Sequence, residues 1–138
     1  MQLPQIKCYQ PTVAGQGFTF YLLSKGANAG QPNHLPWVNS FAIHCSSRNE
    51  YDYYFWLSYS LWQSGRFRPL LRGTAVPFIS VSDVRKLINE VAPVIASHWQ
   101  HYLGVIQSLN KVQSAKAYLA EAIISADKLQ KYLLSIYF

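Results

Sequence analysis

Tyr51-Asp52-Tyr53-Tyr54-Phe55-Trp56-Leu57-Ser58-Tyr59-Ser60-Leu61 is the stretch on which the fold turns. Every second residue from Tyr51 to Leu61 is apolar or aromatic, whereas the intervening set holds Asp52, Tyr54, Trp56, Ser58 and Ser60, followed by Trp62. A period of two puts successive side chains on opposite faces of a β-strand. Read this way, residues 51–61 form a strand and Ser46-Ser47-Arg48-Asn49-Glu50 is a hairpin loop. The loop would return the chain onto a strand at residues 38–45, where Phe41 and Ile43 share a face, so the two are expected to pair antiparallel.

Working outward, Phe18-Thr19-Phe20-Tyr21-Leu22-Leu23 reads as a further strand between Gly17 and the Lys25-Gly26 turn. Residues 75–80 suggest a fourth, held to an edge or a bulge by Pro77, and residues 6–9 a fifth. Beyond residue 82 the turn formers nearly vanish: six of the seven prolines and six of the seven glycines precede it. Ser80-Val81-Ser82-Asp83 is an [ST]-x-x-[DE] helix start, and Val84, Leu87, Ile88 and Val91 follow as an amphipathic stripe. Pro93 is expected to stop that helix or to open the next. Ile95, Trp99, Tyr102, Ile106 and Leu109 form one periodic series. Val112, Ala115, Leu119, Ala122, Ala126, Leu129, Leu133 and Ile136 form a second, out of phase with the first. Residues 94–136 are therefore either two helices joined around Asn110, the preferred reading, or one long helix with a stammer.

Strands followed by helices point to an α+β fold: a mostly antiparallel sheet of three to five strands with C-terminal helices packed on it. The 138 residues make one domain, 1–138, with a strand-rich part at 1–81 and a helical part at 82–138. Half of the residues are hydrophobic and only 13% are charged, which excludes a disordered chain. Twelve Lys and Arg against six Asp and Glu leave a net charge of +6, which favours anionic partners, nucleic acid first among them. The start, Met1-Gln2-Leu3-Pro4-Gln5, lacks the pattern of a signal peptide, and no apolar run approaches the length that spans a bilayer. The expectation is a cytoplasmic protein with no membrane partner. Two cysteines, Cys8 and Cys45, cannot form a disulfide scaffold and suit a reducing compartment.

Chemistry-bearing constellations are few. His98 and His101 stand at i, i+3 but have no Cys, Asp or Glu near them in sequence to complete a metal site. His44-Cys45 are neighbours on a strand and so point to opposite faces, against a nucleophile–base pair. The positions flanking Ser64 that a nucleophile elbow needs as glycine are Trp62 and Arg66. Lys25-Gly26-Ala27-Asn28-Ala29-Gly30-Gln31-Pro32 lacks the G-K-[ST] ending of a phosphate-binding loop. It reads as a tight turn, with an anion-holding backbone nest beside Lys25 as the alternative. No metal, cofactor or catalytic residue is expected, and an enzyme is not.

Three segments carry a family resemblance: the stretch from Lys25 to Pro32, then Pro36-Trp37-Val38-Asn39-Ser40-Phe41, and Leu61-Trp62 through Gly73-Thr74-Ala75-Val76-Pro77-Phe78-Ile79. Over residues 20–90 the chain resembles small uncharacterised bacterial proteins associated with mobile elements. The resemblance implies a shared fold and brings no activity. The spacing Gly73-x-x-x-Pro77-Phe78-Ile79-x-x-x-Asp83-Val84 also resembles a target-recognition segment of restriction-modification specificity subunits, whose second half-domain has no counterpart here.

The expected function is thus that of a non-enzymatic intracellular binding or accessory protein. Its basic-aromatic surface for nucleic acid or another anion would comprise Lys25, Tyr54, Trp56, Arg66, Arg68 and Arg72. The alternative is a self-associating interaction or structural subunit, a homodimer through the C-terminal helix. There, Leu119, Ala122, Ala126, Leu129 and Leu133 would dock on the domain's own core, while Ala117, Ala120, Ile124, Leu134 and Phe138 would meet a second copy.

Overall fold

The computed structural model describes residues 3–11 and 17–138. Four strands, β1 (Gln5–Cys8), β2 (Phe18–Leu23), β3 (Pro32–Asn33) and β4 (Ser40–Cys45), form one antiparallel sheet in the order β1-β4-β2-β3. Three helices follow: α1 (Arg48–Gln63), α2 (Val81–Ser97) and α3 (Trp99–Ser135). The fold is α+β. The chain divides into two compact units, residues 1–97 and residues 98–138.

In the first unit the register fixes the core. Ile6, Ile43 and Phe20 lie side by side across β1, β4 and β2, and all three are buried. α1 covers this face: the Phe20 ring meets Tyr51 and Phe55 edge-on, with centroids 5.4 and 5.5 Å away. α2 lies against β1 and α1. Arg85 donates to the Ile6 carbonyl, and the Tyr53 hydroxyl donates to the Ala92 carbonyl at 2.6 Å.

Residues 51–61 are helical, not a strand, and the expected hairpin with residues 38–45 does not exist; β4 pairs with β1 and β2 instead. The physical reason sits at the two ends of α1. The Ser47 hydroxyl accepts from the Glu50 amide at 3.1 Å, and Glu50 reaches back to the Ser46 amide and hydroxyl at 2.6 and 2.7 Å. This is a capping box displaced by one residue, and it turns the supposed loop into a helix start. At the other end Gly65 (φ +75°) closes a Schellman motif, donating to Trp62, while the Arg66 amide donates to Leu61. Between these caps Tyr53-Tyr54-Phe55-Trp56-Leu57 is an unbroken aromatic and apolar run that suits alternation and helical period alike, and the caps decide.

Other expectations shift less. β2 spans the predicted residues, and β1 corresponds to the fifth strand. Residues 75–80 form no strand among the described residues; Phe78 alone makes isolated bridges, to Lys25 and to Arg72. Ser80 caps α2 through the Asp83 amide at 3.2 Å, as its motif predicts. Pro93 neither stops α2 nor opens α3. It lies inside α2, which tolerates the missing N–H and ends at Ser97.

The second unit is α3 preceded by His98. The helix runs without a break through Asn110, so the join expected there is absent. The stripe expected to dock on the core is exposed as well: Leu119 and Leu129 are each 58% exposed and Leu133 52%. No helix among the described residues is long and apolar enough to cross a membrane.

Candidate functional site

A group of titratable side chains surrounds the start of α1. His34, next to β3, stacks on Phe55 with centroids 4.3 Å apart, and its Nδ1 is hydrogen-bonded to the Tyr51 hydroxyl. Arg48 lies over the Tyr51 ring at 4.9 Å and pairs with Asp52 at 3.3 Å. Burial, helped by the Arg48 charge, lowers the His34 pKa, and burial raises that of Tyr51. Both shifts favour the neutral forms, so the pair is a neutral hydrogen bond that pins the β3 segment onto α1. Burial, with the Glu50 carboxylate nearby, pushes the Cys45 thiol up to about 12, which withdraws its nucleophile. His44 pairs instead with Thr19, Nδ1 to Oγ1 at 2.9 Å. Both cysteines are free thiols, and no three of His, Cys, Asp or Glu among the described residues gather as metal ligands.

The residues proposed for an anionic partner scatter. Tyr54 is 1% exposed and packs edge-on against Tyr53, so its ring is not available for stacking. Trp56 is half-buried on the opposite side of α1, in a row with Tyr59 and Trp62. Arg66 and Arg68 are exposed on the turn after α1. Lys25 and Arg72 do come together, one on each side of Phe78 in the small bridge ladder, and Arg72 also pairs with Asp83 at 2.9 Å.

The stretch from Lys25 to Pro32 is a turn. The amides of Gly26, Ala29, Gly30 and Gln31 all donate to backbone carbonyls, so no nest of those donors is left for an anion. Gly30 has φ +96°, and a Cβ there would lie 2.3 Å from the Phe67 ring.

One feature escaped sequence reading, and a second was read as a periodic series but expected to be covered. The sheet face turned away from α1 holds a groove of about 350 Å³, whose walls include Lys7, Tyr9, Tyr21 and His44. Its residues come from three strands, and no local pattern announces them. The other is the uncovered seam of α3. Val105, Ser108, Val112, Ala115, Leu119, Ala122, Ala126, Leu129, Leu133 and Ile136 recur at alternating steps of three and four, a heptad seam. Residues 107, 114, 121, 128 and 135, on another line of the helix, are all polar.

The profile of a "Family of unknown function (DUF6943)" matches residues 6–136, and so spans both units. No curated protein and no solved structure matches the chain.

Proposed function

The chain belongs to the DUF6943 family, whose function is unknown, and from its geometry we propose a non-enzymatic binding or accessory protein that pairs with a second copy of itself through α3. The observation that carries this reading is the seam. A helix with Val112, Leu119, Leu129, Leu133 and Ile136 in water leaves uncovered what a soluble helix ordinarily buries, at about 25 cal/mol per Å² of apolar surface.

The seam is also complementary to itself. In an antiparallel pair centred between Leu119 and Ala122, Val105 faces the partner's Ile136 and Val112 faces the partner's Leu129. Leu119 then faces the partner's Ala122, and Ala126 the partner's Ala115. Large residues meet small ones at the middle, where alanines let the two backbones approach closely. From Val105 to Ile136 the contact would extend about 46 Å at 1.5 Å per residue. The same patch on both copies makes a closed, isologous dimer. The inertness of Cys45 and the engagement of His44 by Thr19 support the non-enzymatic part of the reading.

Sedimentation velocity over a concentration series tests it. A dimer is expected, dissociated by Leu119→Glu and retained by Ile124→Glu, which lies off the seam. A monomer at every concentration, or a dimer indifferent to Leu119→Glu, removes the proposal.

A second reading, nucleic-acid binding, is favoured by one observation: the backbones of Lys25 and Arg72 both bridge to that of the exposed Phe78, which gathers two basic residues at one aromatic one. Binding of single-stranded oligonucleotide should then weaken steeply with salt and fall with Lys25→Gln. Absence of binding at low salt ends this reading.

A further inference from the structure

The outer face of the sheet is built around a small residue. Ala42 sits on the inner strand β4, with Lys7 of β1 directly across on one side and Tyr21 of β2 on the other. One step along β4, His44 projects from the same face, paired across with Thr19. In the other direction Tyr9 continues the β1 ladder through its amide to the Ser40 carbonyl at 3.0 Å, and its ring meets Tyr21 edge-on at 5.4 Å. Four large side chains thus stand around a methyl floor. That is why the face is concave rather than flat.

We propose that this groove binds a small organic anion, a carboxylate or phosphate head on a flat apolar body. The volume, about 350 Å³, falls in the range of small-ligand sites. Its polar groups are almost all able to donate. The Lys7 ammonium and the hydroxyls of Tyr9 and Tyr21 have no hydrogen-bond partner among the described residues, and the second ring nitrogen of His44 has none either. Among the described residues no carboxylate lines the groove, so none of them compensates the Lys7 charge there. The floor and the two rings offer apolar contact to a flat body, while the cation and hydroxyls meet the head. Burial, together with the neighbouring Tyr9, raises the Tyr21 pKa, which keeps its hydroxyl protonated and able to donate.

Titration of the full chain, followed by NMR at the Ala42 methyl and the His44 ring, tests this with benzoate, phenyl phosphate and neutral benzamide. A saturable shift is expected with at least one of the two anions, and the better of them identifies the head group. Benzamide should bind at least tenfold more weakly, a difference of about 1.4 kcal/mol. Lys7→Met should weaken the anion tenfold or more, Ala42→Leu should abolish the shift by filling the floor, and Lys86→Met, on α2, should change nothing. Lys7 is exposed on an edge strand, so its variant stays interpretable even where Ala42→Leu fails to fold. No saturable shift with either anion up to about 10 mM overturns the proposal, since that marks affinity below the millimolar range. So does benzamide binding as tightly as benzoate, or binding indifferent to Lys7→Met.

Discussion

α1 and α3 are both rich in apolar residues, yet they are used in opposite ways. Of the sixteen residues of α1, eight are buried, among them Tyr53, Tyr54 and Leu57, each at 1% exposure. Of the thirty-seven of α3, only Tyr102 and Ile106 are. Apolar content therefore does not predict burial; what differs is what lies opposite. α1 is capped at both ends and laid on a sheet whose Phe20 and Ile43 reach into it. The seam of α3 has nothing opposite it in its own unit. The first helix is explained by its own unit alone, and the second asks for something outside its unit.

The sharpest way to break this comparison is to delete large side chains from each helix and its contacts. Phe20→Ala, removing the ring between Tyr51 and Phe55, should cost about 3–5 kcal/mol, and Leu57→Ala about 2–5 kcal/mol. Tyr118→Ala on α3, at a position 72% exposed, should change the unfolding free energy by less than about 0.5 kcal/mol. Urea denaturation measures all three. Equal losses from Leu57 and Tyr118 would erase the distinction.

A smaller loss is expected at Gly30. Its positive φ and the Phe67 ring in the place of a Cβ mean that Gly30→Ala must shift either the turn or the ring, costing about 1–3 kcal/mol. Ser47→Ala should cost about 1 kcal/mol, because it removes the cap that starts α1. Retained stability in Ser47→Ala would show that tertiary packing, not the cap, selects helix over strand in residues 51–61.

That last variant bears on how much of the fold can be read from the sequence. β2 was legible because Gly17 and Lys25-Gly26 bracket a short run of aromatic and apolar residues. The start of α2 was legible because Ser80 and Asp83 stand at capping distance. The same signal stood at Ser47 and Glu50, with Gly65 as the matching stop, but the even alternation of Tyr51, Tyr53 and Phe55 outweighed it. β3 has two residues and no period to detect. The groove over Ala42 could not be seen, because Lys7, Tyr21 and His44 meet only through strand order β1-β4-β2. Arg72 had a basic neighbourhood in sequence and an acidic one in space, Asp83.

Thiol reactivity sharpens the contrast between surface and core within the first unit. Cys8 is exposed on edge strand β1, whereas Cys45 is half-buried with its thiol pushed up to about 12. At neutral pH almost none of Cys45 is thiolate, the species that alkylates. Iodoacetamide should therefore modify Cys8 first and leave Cys45 intact until the protein unfolds, as peptide mass spectrometry would show. Equal labelling in the native state would mean that the start of α1 opens readily.

The smallest expected effect is a pH dependence at the same place. His34 has its pKa lowered from 6.5, chiefly by burial and then by the Arg48 charge, with Asp52 opposing. As pH falls through 6.5 the unfolded chain takes up this proton first, while the folded chain resists until its own lower pKa is reached. The contribution of neutral His34 is thus fully present above the unfolded value, declines across the window between the two values, and then levels off. His34→Phe keeps a ring to stack on Phe55 but cannot titrate, so its stability should fall less than the wild type's in that window. Asp52→Asn, which removes the opposing charge and leaves Arg48 unpaired, should lower the His34 pKa further, and Arg48→Gln should raise it. The His34 ring protons report that pKa directly by NMR. Identical pH profiles for wild type and His34→Phe would mean that the contact with Tyr51 does not bind β3 to α1 in solution.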